Sequence, residues 1–256
     1  MSHHALLVAR EIKEMIGAKP CLLAIDVDGT LTSKRARGEF LLDFAAASLI
    51  AKVEEKGTTT MLVTGNSAPV AAGLARYLGS RGPQVAENGC LVFYNGRIWS
   101  SCRYTARPAA RIVERELSGL LNPSWQNTCR IHDYAFLARN PATDPSLLLG
   151  HVEKVLESHG IEAKLSSSGY AIHVRPPDAS KANGVALAAS LLGVDTSCIV
   201  AVGDSSIDVE MRPSSGILAA VGNADPALKK EADIVLPGES GTSLRILLEA
   251  ILHLAH

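Results

Sequence analysis

Short apolar runs alternate with longer amphipathic segments at both ends of the chain, and this alternation predicts βα units around a parallel sheet. The first part has predicted strands at 21–26, 59–63 and 83–87 and predicted helices at 40–56 and 67–78. The alternation resumes at Lys181, with predicted helices at 181–192, 205–212, 225–231 and 242–255 and predicted strands at 198–202, 217–221 and 233–236. The pattern therefore favours an α/β fold, with a Rossmann-like parallel sheet and helices on both faces.

The middle of the chain breaks this alternation. Asn95-Gly96, between apolar runs at 91–94 and 98–101, predicts a tight β-hairpin. A helix, a strand, a helix and an antiparallel pair are predicted next, at 107–121, 130–139, 145–159, 161–165 and 170–174. This order predicts an inserted, smaller α+β domain at 87–178 within a core formed by 1–86 and 179–256, and the hairpin at 90–101 could belong to either.

Composition excludes several classes of protein. The 256 residues include 25 Lys+Arg and 26 Asp+Glu, and this net charge of -1 argues against a nucleic-acid partner. The absence of a long uncharged apolar run argues against a membrane protein, and no signal peptide is visible. We therefore expect a cytoplasmic monomer or homodimer, with His3 and His4 in an unstructured terminus. Five scattered cysteines predict buried thiols, and the alternative is a stabilising disulfide if the source is a hyperthermophile.

Polar clusters follow several of the predicted strands. Each cluster alone is explained equally well by a capping Asp or a turn Gly. However, functional residues of open parallel sheets lie at the carboxyl ends of the strands, so the joint occurrence of four clusters predicts one site. The clusters are Asp26-Val27-Asp28-Gly29-Thr30, Thr64-Gly65-Asn66, Glu87-Asn88-Gly89 and Gly203-Asp204-Ser205-Ser206-Ile207-Asp208.

The carboxylates of these clusters predict a metal site. Asp26 and Asp28 stand two residues apart at a strand end, and two carboxylates in one pocket repel each other unless a cation lies between them or they share a proton. Asp204 and Asp208 add oxygen ligands from another strand end. Because neither His nor Cys accompanies them, these hard ligands predict Mg²⁺ rather than zinc.

A carboxylate in such a site can also act as a nucleophile toward phosphorus, if cations neutralise the phosphoryl oxygens. Thr64 can donate its hydroxyl to the phosphoryl group, and Lys181 can supply a positive charge. These residues predict phosphoryl chemistry on a small phosphorylated metabolite.

The same residues resemble a known family. Asp26-Val27-Asp28-Gly29-Thr30-Leu31-Thr32, Thr64, Lys181 and the pair Asp204 and Asp208 resemble the four ordered motifs of the haloacid dehalogenase superfamily of phosphatases. The insertion resembles the type II cap of that superfamily, and residues 168–173 resemble those of archaeal-type phosphoglycolate phosphatases. The resemblance implies Mg²⁺-dependent hydrolysis of 2-phosphoglycolate to glycolate and phosphate, through an aspartyl-phosphate intermediate.

The resemblance also implies a role for each residue. Asp26 would be the nucleophile and a metal ligand, and Asp28 would be the general acid and then the base, with its carbonyl on the metal. Asp204 would bind the metal, and Asp208 would orient Lys181 or a metal-bound water. The phosphoryl group would be held by Thr64, Gly65, Asn66 and Lys181.

Two points stay open at this stage. Substrate selectivity is expected from the cap, where His173 and Arg175 are the main candidates and Arg130 and His132 are further ones, although each is also explained as an ordinary structural residue. Ile207 stands where the family commonly has Asn, which puts the details of the metal shell in doubt. The alternatives are a sugar-phosphate phosphatase or phosphomutase of the same superfamily, or a non-catalytic module that binds a phosphorylated ligand.

Overall fold

The computed structural model describes residues 2–34 and 39–255. Its strands are β1 (Leu22–Ile25), β2 (Thr32–Lys34), β3 (Phe40–Leu42), β4 (Thr59–Leu62), β5 (Gln84–Ala86), β6 (Leu91–Tyr94), β7 (Arg97–Ser100), β8 (Leu121–Pro123), β9 (Tyr134–Ala138), β10 (Lys164–Ser167), β11 (Ile172–Arg175), β12 (Ile199–Gly203), β13 (Ile217–Ala220) and β14 (Ile234–Val235). Its α-helices are α1 (His3–Ile16), α2 (Phe44–Glu55), α3 (Ala68–Leu78), α4 (Arg107–Glu116), α5 (Leu149–Ser158), α6 (Lys181–Leu192), α7 (Pro226–Glu231) and α8 (Ser240–Leu254). No helix in this described part of the chain has the length and hydropathy that a membrane span requires.

A five-stranded parallel sheet forms the centre of the core, in the order β14-β13-β12-β1-β4. Leu22 of β1 lies between Ile199 of β12 and Thr59 of β4. Every residue of β1, β12 and β13 is buried, as expected for strands that are covered on both faces by helices. The predicted α/β fold, with a flanked parallel sheet and an added cap, is confirmed.

Helix α1 corrects one prediction. His3 and His4 form its first turn, whereas we expected an unstructured terminus, so that expectation was wrong. The side chain of Ser2 caps the helix by accepting the N–H of Ala5 at 3.2 Å. The buried side chains that hold α1 on the core recur every three or four positions: Ala5, Val8, Ala9 and Ile12.

The predicted helix at 40–56 begins later than expected. Asp43 caps α2 by accepting the N–H of Ala46 at 2.8 Å, so the helix begins at Phe44. The preceding residues form β3, which pairs with β2 in a small antiparallel hairpin. This hairpin follows directly after the first polar cluster and contacts the cap, because the rings of Phe40 and Tyr170 meet edge to face at 5.4 Å.

The predicted hairpin around Asn95-Gly96 is present, with φ of 47° and 73° at these two residues. Its first strand, β6, pairs with β5. A parallel bridge between Val63 and Val85 connects β5 to the segment after β4, so this three-stranded sheet continues the core. The domain limits at 86/87 and 178/179 stay a prediction.

The cap is built on a four-stranded antiparallel sheet, in the order β10-β11-β9-β8. Helices α4 and α5 pack on it around a separate hydrophobic core that includes Phe136, Val152 and Ile172. The antiparallel pair predicted near 161–174 is confirmed as β10 and β11. The predicted strand at 130–139 is shorter, since β9 begins only at Tyr134.

Two disulfides replace the expected free thiols. Cys21, just before β1, is bonded to Cys198, just before β12. Cys90 is bonded to Cys102 across the hairpin of β6 and β7. Of the five cysteines, all of which lie in the described part of the chain, only Cys129 is free.

Candidate active site

The carboxyl ends of β1, β4 and β12 meet at one edge of the sheet and bring most of the predicted residues to one pocket. Asp26 directly follows β1, and Asp204 directly follows β12. Lys181 enters from the first turn of α6. The predicted residues that line this pocket are Asp26, Asp28, Thr64, Gly65, Asn66, His173, Lys181 and Asp204.

The Lys181 ammonium lies buried between two carboxylates. Its Nζ donates to Asp26 Oδ1 at 2.8 Å and to Asp208 Oδ1 at 2.6 Å. Burial lowers the pKa of Lys181, but the charges of Asp208 and Asp26 outweigh that effect and raise this pKa above its ordinary value. Lys181 is therefore held as a cation beside Asp26.

Asp26 keeps one oxygen free. Its Oδ2 is buried and has no hydrogen-bond partner among the described residues. Burial raises the pKa of Asp26 to about 7, with Lys181 opposing the rise and Asp208 adding to it. A buried carboxylate oxygen without a partner is costly unless a ligand completes it, so this atom points to a bound group.

Asp204 completes an acidic cluster. One carboxylate oxygen from each of Asp26, Asp204 and Asp208 lies within 4.8 Å of the others. Burial and then the charges of Asp26 and Asp208 raise the pKa of Asp204 to about 9. Gly29, with φ of 99°, lets the Asp204 carboxylate lie against the loop that follows Asp26, because a Cβ at this position would lie 2.1 Å from Asp204 Oδ2. Hard oxygen ligands at this spacing, together with the free oxygen of Asp26, fit a small divalent cation such as Mg²⁺.

Asp208 lies behind the pocket rather than in its wall. Its side chain is fully buried, and its Oδ2 accepts the N–H groups of Asp204 and Ser205 at 3.1 and 2.9 Å. Its other oxygen accepts from Lys181. This arrangement fits the expectation that Asp208 orients Lys181, and it leaves Ile207 to present an apolar side chain to the pocket.

Asp28 is held by the second polar cluster. The Nδ2 of Asn66 donates to Asp28 Oδ2 at 2.8 Å and to Thr64 Oγ1 at 2.9 Å. Burial raises the pKa of Asp28, although the hydrogen bond from Asn66 partly offsets the rise. A carboxyl group with a raised pKa can carry a proton and deliver it.

The third cluster connects the core to the cap. The fully buried carboxylate of Glu87 accepts the backbone N–H groups of Ile131, His132 and Asp133, with 2.7 Å for His132. Burial raises the pKa of Glu87, and these backbone bonds oppose the rise. Because residues 131–133 bind the core in this way, they do not join β9.

His173 of the cap reaches the pocket next to the third cluster. Its Nδ1 lies 3.0 Å from Asp133 Oδ2, which also accepts from Asn88 Nδ2 at 2.7 Å. Burial alone would raise the pKa of Asp133, but the charges of His173 and Arg130 lower it below its ordinary value. The absence of a side chain at Gly65 lets the His173 ring lie over the core loop, since a Cβ there would lie 3.1 Å from its Cε1.

Two of the cap candidates do not reach the pocket. Arg175 forms a bidentate ion pair with Glu210 of the core, at 3.2 and 3.0 Å, and Glu210 also accepts the N–H of Lys181. His132 is occupied by the carbonyl of Tyr104 and the hydroxyl of Ser100. Arg175 therefore pairs with a core carboxylate and does not line this pocket, and its role in substrate selectivity stays a prediction.

Arg130 does reach the pocket, although it was only a secondary candidate. Its side chain is 2% exposed, and its Nη2 donates to the carbonyl of Gly65 at 2.8 Å. Its Nε and Nη1 have no hydrogen-bond partner in the described part of the chain. Sequence reasoning missed Ser124 and Gln126, which also line the pocket and lie in an irregular segment without a recognisable motif.

Comparisons with known proteins agree with this geometry. The family of haloacid dehalogenase-like hydrolases matches residues 23–117 and 134–241. A protein of Aeropyrum pernix named phosphoglycolate phosphatase is 38% identical over 86% of this chain and 89% of its own length. A protein of Metallosphaera sedula with the same name is 37% identical over 90% and 98%.

Solved structures share the whole architecture. The crystal structure of a Thermoplasma acidophilum protein, 28% identical, covers 88% of this chain and 95% of its own, with a TM-score of 0.74. The family match includes both core segments and most of the cap. The chain therefore belongs to the haloacid dehalogenase-like hydrolase family and is a phosphatase of that superfamily.

Proposed function

We propose that this protein hydrolyses 2-phosphoglycolate to glycolate and phosphate through an aspartyl-phosphate intermediate. The observation that carries the proposal is Asp26, which has one oxygen fixed by Lys181 at 2.8 Å and a second that is buried without a partner. A carboxylate oriented in this way beside a fixed cation is a suitable nucleophile for phosphorus. The names of the relatives support 2-phosphoglycolate as the substrate.

The reaction takes two displacements at phosphorus. In the first, an oxygen of Asp26 bonds to phosphorus while the bond from phosphorus to the glycolate oxygen breaks, and Asp28 gives its proton to that oxygen. In the second, Asp28 takes a proton from a water molecule, whose oxygen bonds to phosphorus and displaces the Asp26 carboxylate as phosphate leaves. The burial that raises the pKa of Asp28 suits it to both proton transfers.

Asp26 and Asp204 would hold Mg²⁺, together with the backbone carbonyl of Asp28. The bound ion would neutralise charge on the phosphoryl oxygens. Lys181 adds a second positive charge next to Asp26, and Thr64 supplies a hydroxyl from the end of the neighbouring strand β4. Asp208 keeps Lys181 in place at 2.6 Å.

Arg130 is the group best placed to receive the carboxylate of the substrate. It is buried in the pocket wall, and a guanidinium pairs well with a carboxylate. Its Nη1 forms an ion pair with Asp133 Oδ2 at 3.5 Å, but neither Nη1 nor Nε has a hydrogen-bond partner among the described residues. A carboxylate on the substrate would supply the hydrogen bonds that these two nitrogens lack.

The proposal is tested by phosphate release from a panel of esters that includes 2-phosphoglycolate, sugar phosphates and nucleotides. We expect 2-phosphoglycolate to have the highest kcat/KM, Asp26→Asn to abolish release in a folded protein, and a chelator to stop it until Mg²⁺ is restored. Asp195→Asn, which changes an exposed carboxylate, is the matched control and should keep full activity. Activity in Asp26→Asn, or under full chelation, would contradict the mechanism. The cytoplasmic location and the monomeric or homodimeric state stay predictions.

A further inference from the structure

Gln126 crosses from the cap to the core. It lies in the 3₁₀ helix Trp125–Thr128 and reaches the loop that follows β4. Its Oε1 accepts the backbone N–H of Ser67 at 2.8 Å, and its Nε2 donates to Asn66 Oδ1 at 2.7 Å. One cap side chain therefore binds two adjacent residues of the core loop that contacts Asp28.

A backbone group fixes the direction of these hydrogen bonds. The N–H of Ser67 can only donate, so Gln126 must present its Oε1 there and its Nε2 to Asn66. Asn66 must then accept on Oδ1, which turns its Nδ2 toward Asp28 Oδ2 and Thr64 Oγ1. Neither amide has a second orientation that keeps these bonds.

The orientation of Asn66 matters for Asp28. If the amide turned over, Asn66 Oδ1 would face Asp28 Oδ2, where it would oppose an ionised carboxylate or hold the proton of a protonated one on Oδ2. In the observed orientation, Asp28 Oδ2 accepts an N–H, so the proton for the leaving group belongs on Oδ1. Gln126 thus orients the amide of Asn66, and Asn66 in turn orients the carboxyl group of Asp28.

We propose that Gln126 is a positioning residue that couples docking of the cap to the orientation of the general acid Asp28, through Asn66. The inference rests on the proposed function, because it takes Asp28 as the acid. Without the cap in place, the remaining partners do not fix the amide of Asn66, because the hydroxyl of Thr64 and a protonated Asp28 can each donate as well as accept. The acid is then correctly held only when Gln126 is docked on the core.

The experiment compares two leaving groups. The alkoxide of 2-phosphoglycolate needs a proton as it leaves, whereas the phenolate of p-nitrophenyl phosphate leaves without one. Gln126→Ala should lower kcat/KM for 2-phosphoglycolate by about tenfold, and that for p-nitrophenyl phosphate by about twofold at most. Gln126→Glu keeps the shape and an acceptor for Ser67 but cannot donate to Asn66 when ionised, so it should show the same selective loss.

The neighbouring residue provides a matched control. Asn127 lies in the same 3₁₀ helix with similar burial and also makes two amide hydrogen bonds, but both join it to the backbone of Ala135 within the cap, at 2.9 Å. Asn127→Ala should leave the ratio of the two kcat/KM values unchanged. In an Asn66→Ala background, Gln126→Ala should not change that ratio further, because the side chain through which it acts is absent.

Equal losses for the two substrates would overturn the inference, since they would mean that Gln126 only helps the cap to dock. Unchanged kinetics in Gln126→Ala and Gln126→Glu would overturn it as well. A wild-type protein that hydrolyses other alkyl phosphates but not 2-phosphoglycolate would overturn the proposed substrate alone. The comparison of leaving groups is then made with the best alkyl ester, and the outcome for Gln126 is still decisive.

Discussion

Replacing Asp204 by Asn should stabilise the metal-free protein while it destroys activity. Asp204 faces the carboxylates of Asp26 and Asp208, with ligand oxygens within 4.8 Å of one another. Two unit charges at that separation repel by ~3 kcal/mol at an effective dielectric constant of about 20. Lys181 compensates one of the two neighbours, so about one such repulsion remains for Asn to remove.

The effect depends on pH in a defined direction. Because the pKa of Asp204 is raised from 3.8 to about 9 in the folded protein, the folded state keeps a proton that the unfolded state loses between these values. The stability of the metal-free wild type should therefore fall as the pH rises through this window. Below the lower value the carboxyl group is neutral in both states, and Asp204→Asn should then have little effect.

Thermal unfolding in the presence of a chelator measures the difference. At pH 9 we expect Asp204→Asn to unfold at least about 6–12 °C above the wild type, because the repulsion alone corresponds to ~3 kcal/mol for a chain of this size and the burial of the charge adds to it. Mg²⁺ at a hundred times its Kd should increase the free energy of unfolding of the wild type by ~3 kcal/mol and so raise its midpoint temperature. The same concentration should leave the midpoint of the variant nearly unchanged. An equal or lower midpoint for Asp204→Asn in chelator at pH 9 would refute the electrostatic reasoning.

Two further predictions concern the carboxylate of the substrate and the disulfides. Arg130→Met should lower kcat/KM for 2-phosphoglycolate by about 10- to 100-fold, since a hydrogen bond to a charged group contributes ~1.5–3 kcal/mol, but should change kcat/KM for ethyl phosphate much less. Removing the Cys21–Cys198 bond, whose residues are 177 apart in sequence, should reduce the free energy of unfolding by ~5 kcal/mol, measured with denaturant. Removing the Cys90–Cys102 bond, with a separation of 12, should reduce it by ~3 kcal/mol.

The predictions for Arg130 and for the two disulfides can each be refuted by a specific result. Equal losses with the two esters in Arg130→Met would show that the guanidinium supports the pocket without binding the carboxylate. For the disulfides, Cys129→Ser is the control, since this thiol is free. A larger loss from the short loop than from the long one would contradict the account based on the entropy of the unfolded chain.

The core site could be predicted because the topology of a parallel sheet determines which residues lie close together. Parallel strands all end at one edge, so Asp26, Thr64 and Asp204 had to meet once the βα alternation was recognised. The N-cap at Ser180 and the apolar run after it likewise place Lys181 at the start of a helix. These inferences need only local patterns and one rule about sheets.

The cap residues could not be predicted in the same way. Arg175 and His173 alternate onto the same face of β11, but only the folded chain shows that Glu210 binds the arginine. Gln126 lies in an irregular segment, where no periodicity indicates which way a side chain points. Helix α1 is different, because the helical spacing of its apolar residues is already present in the sequence.

The disulfide between Cys21 and Cys198 also changes the topology of the molecule. The two bonded residues belong to the two separate core segments, on neighbouring strands β1 and β12, and the whole cap lies in the chain between them. The disulfide thus closes a covalent ring that runs from Cys21 through the cap to Cys198. A protease that cuts within the cap would open this ring, but the disulfide would keep the two pieces covalently joined. The disulfide would likewise join the two core segments if the cap were replaced by that of a relative.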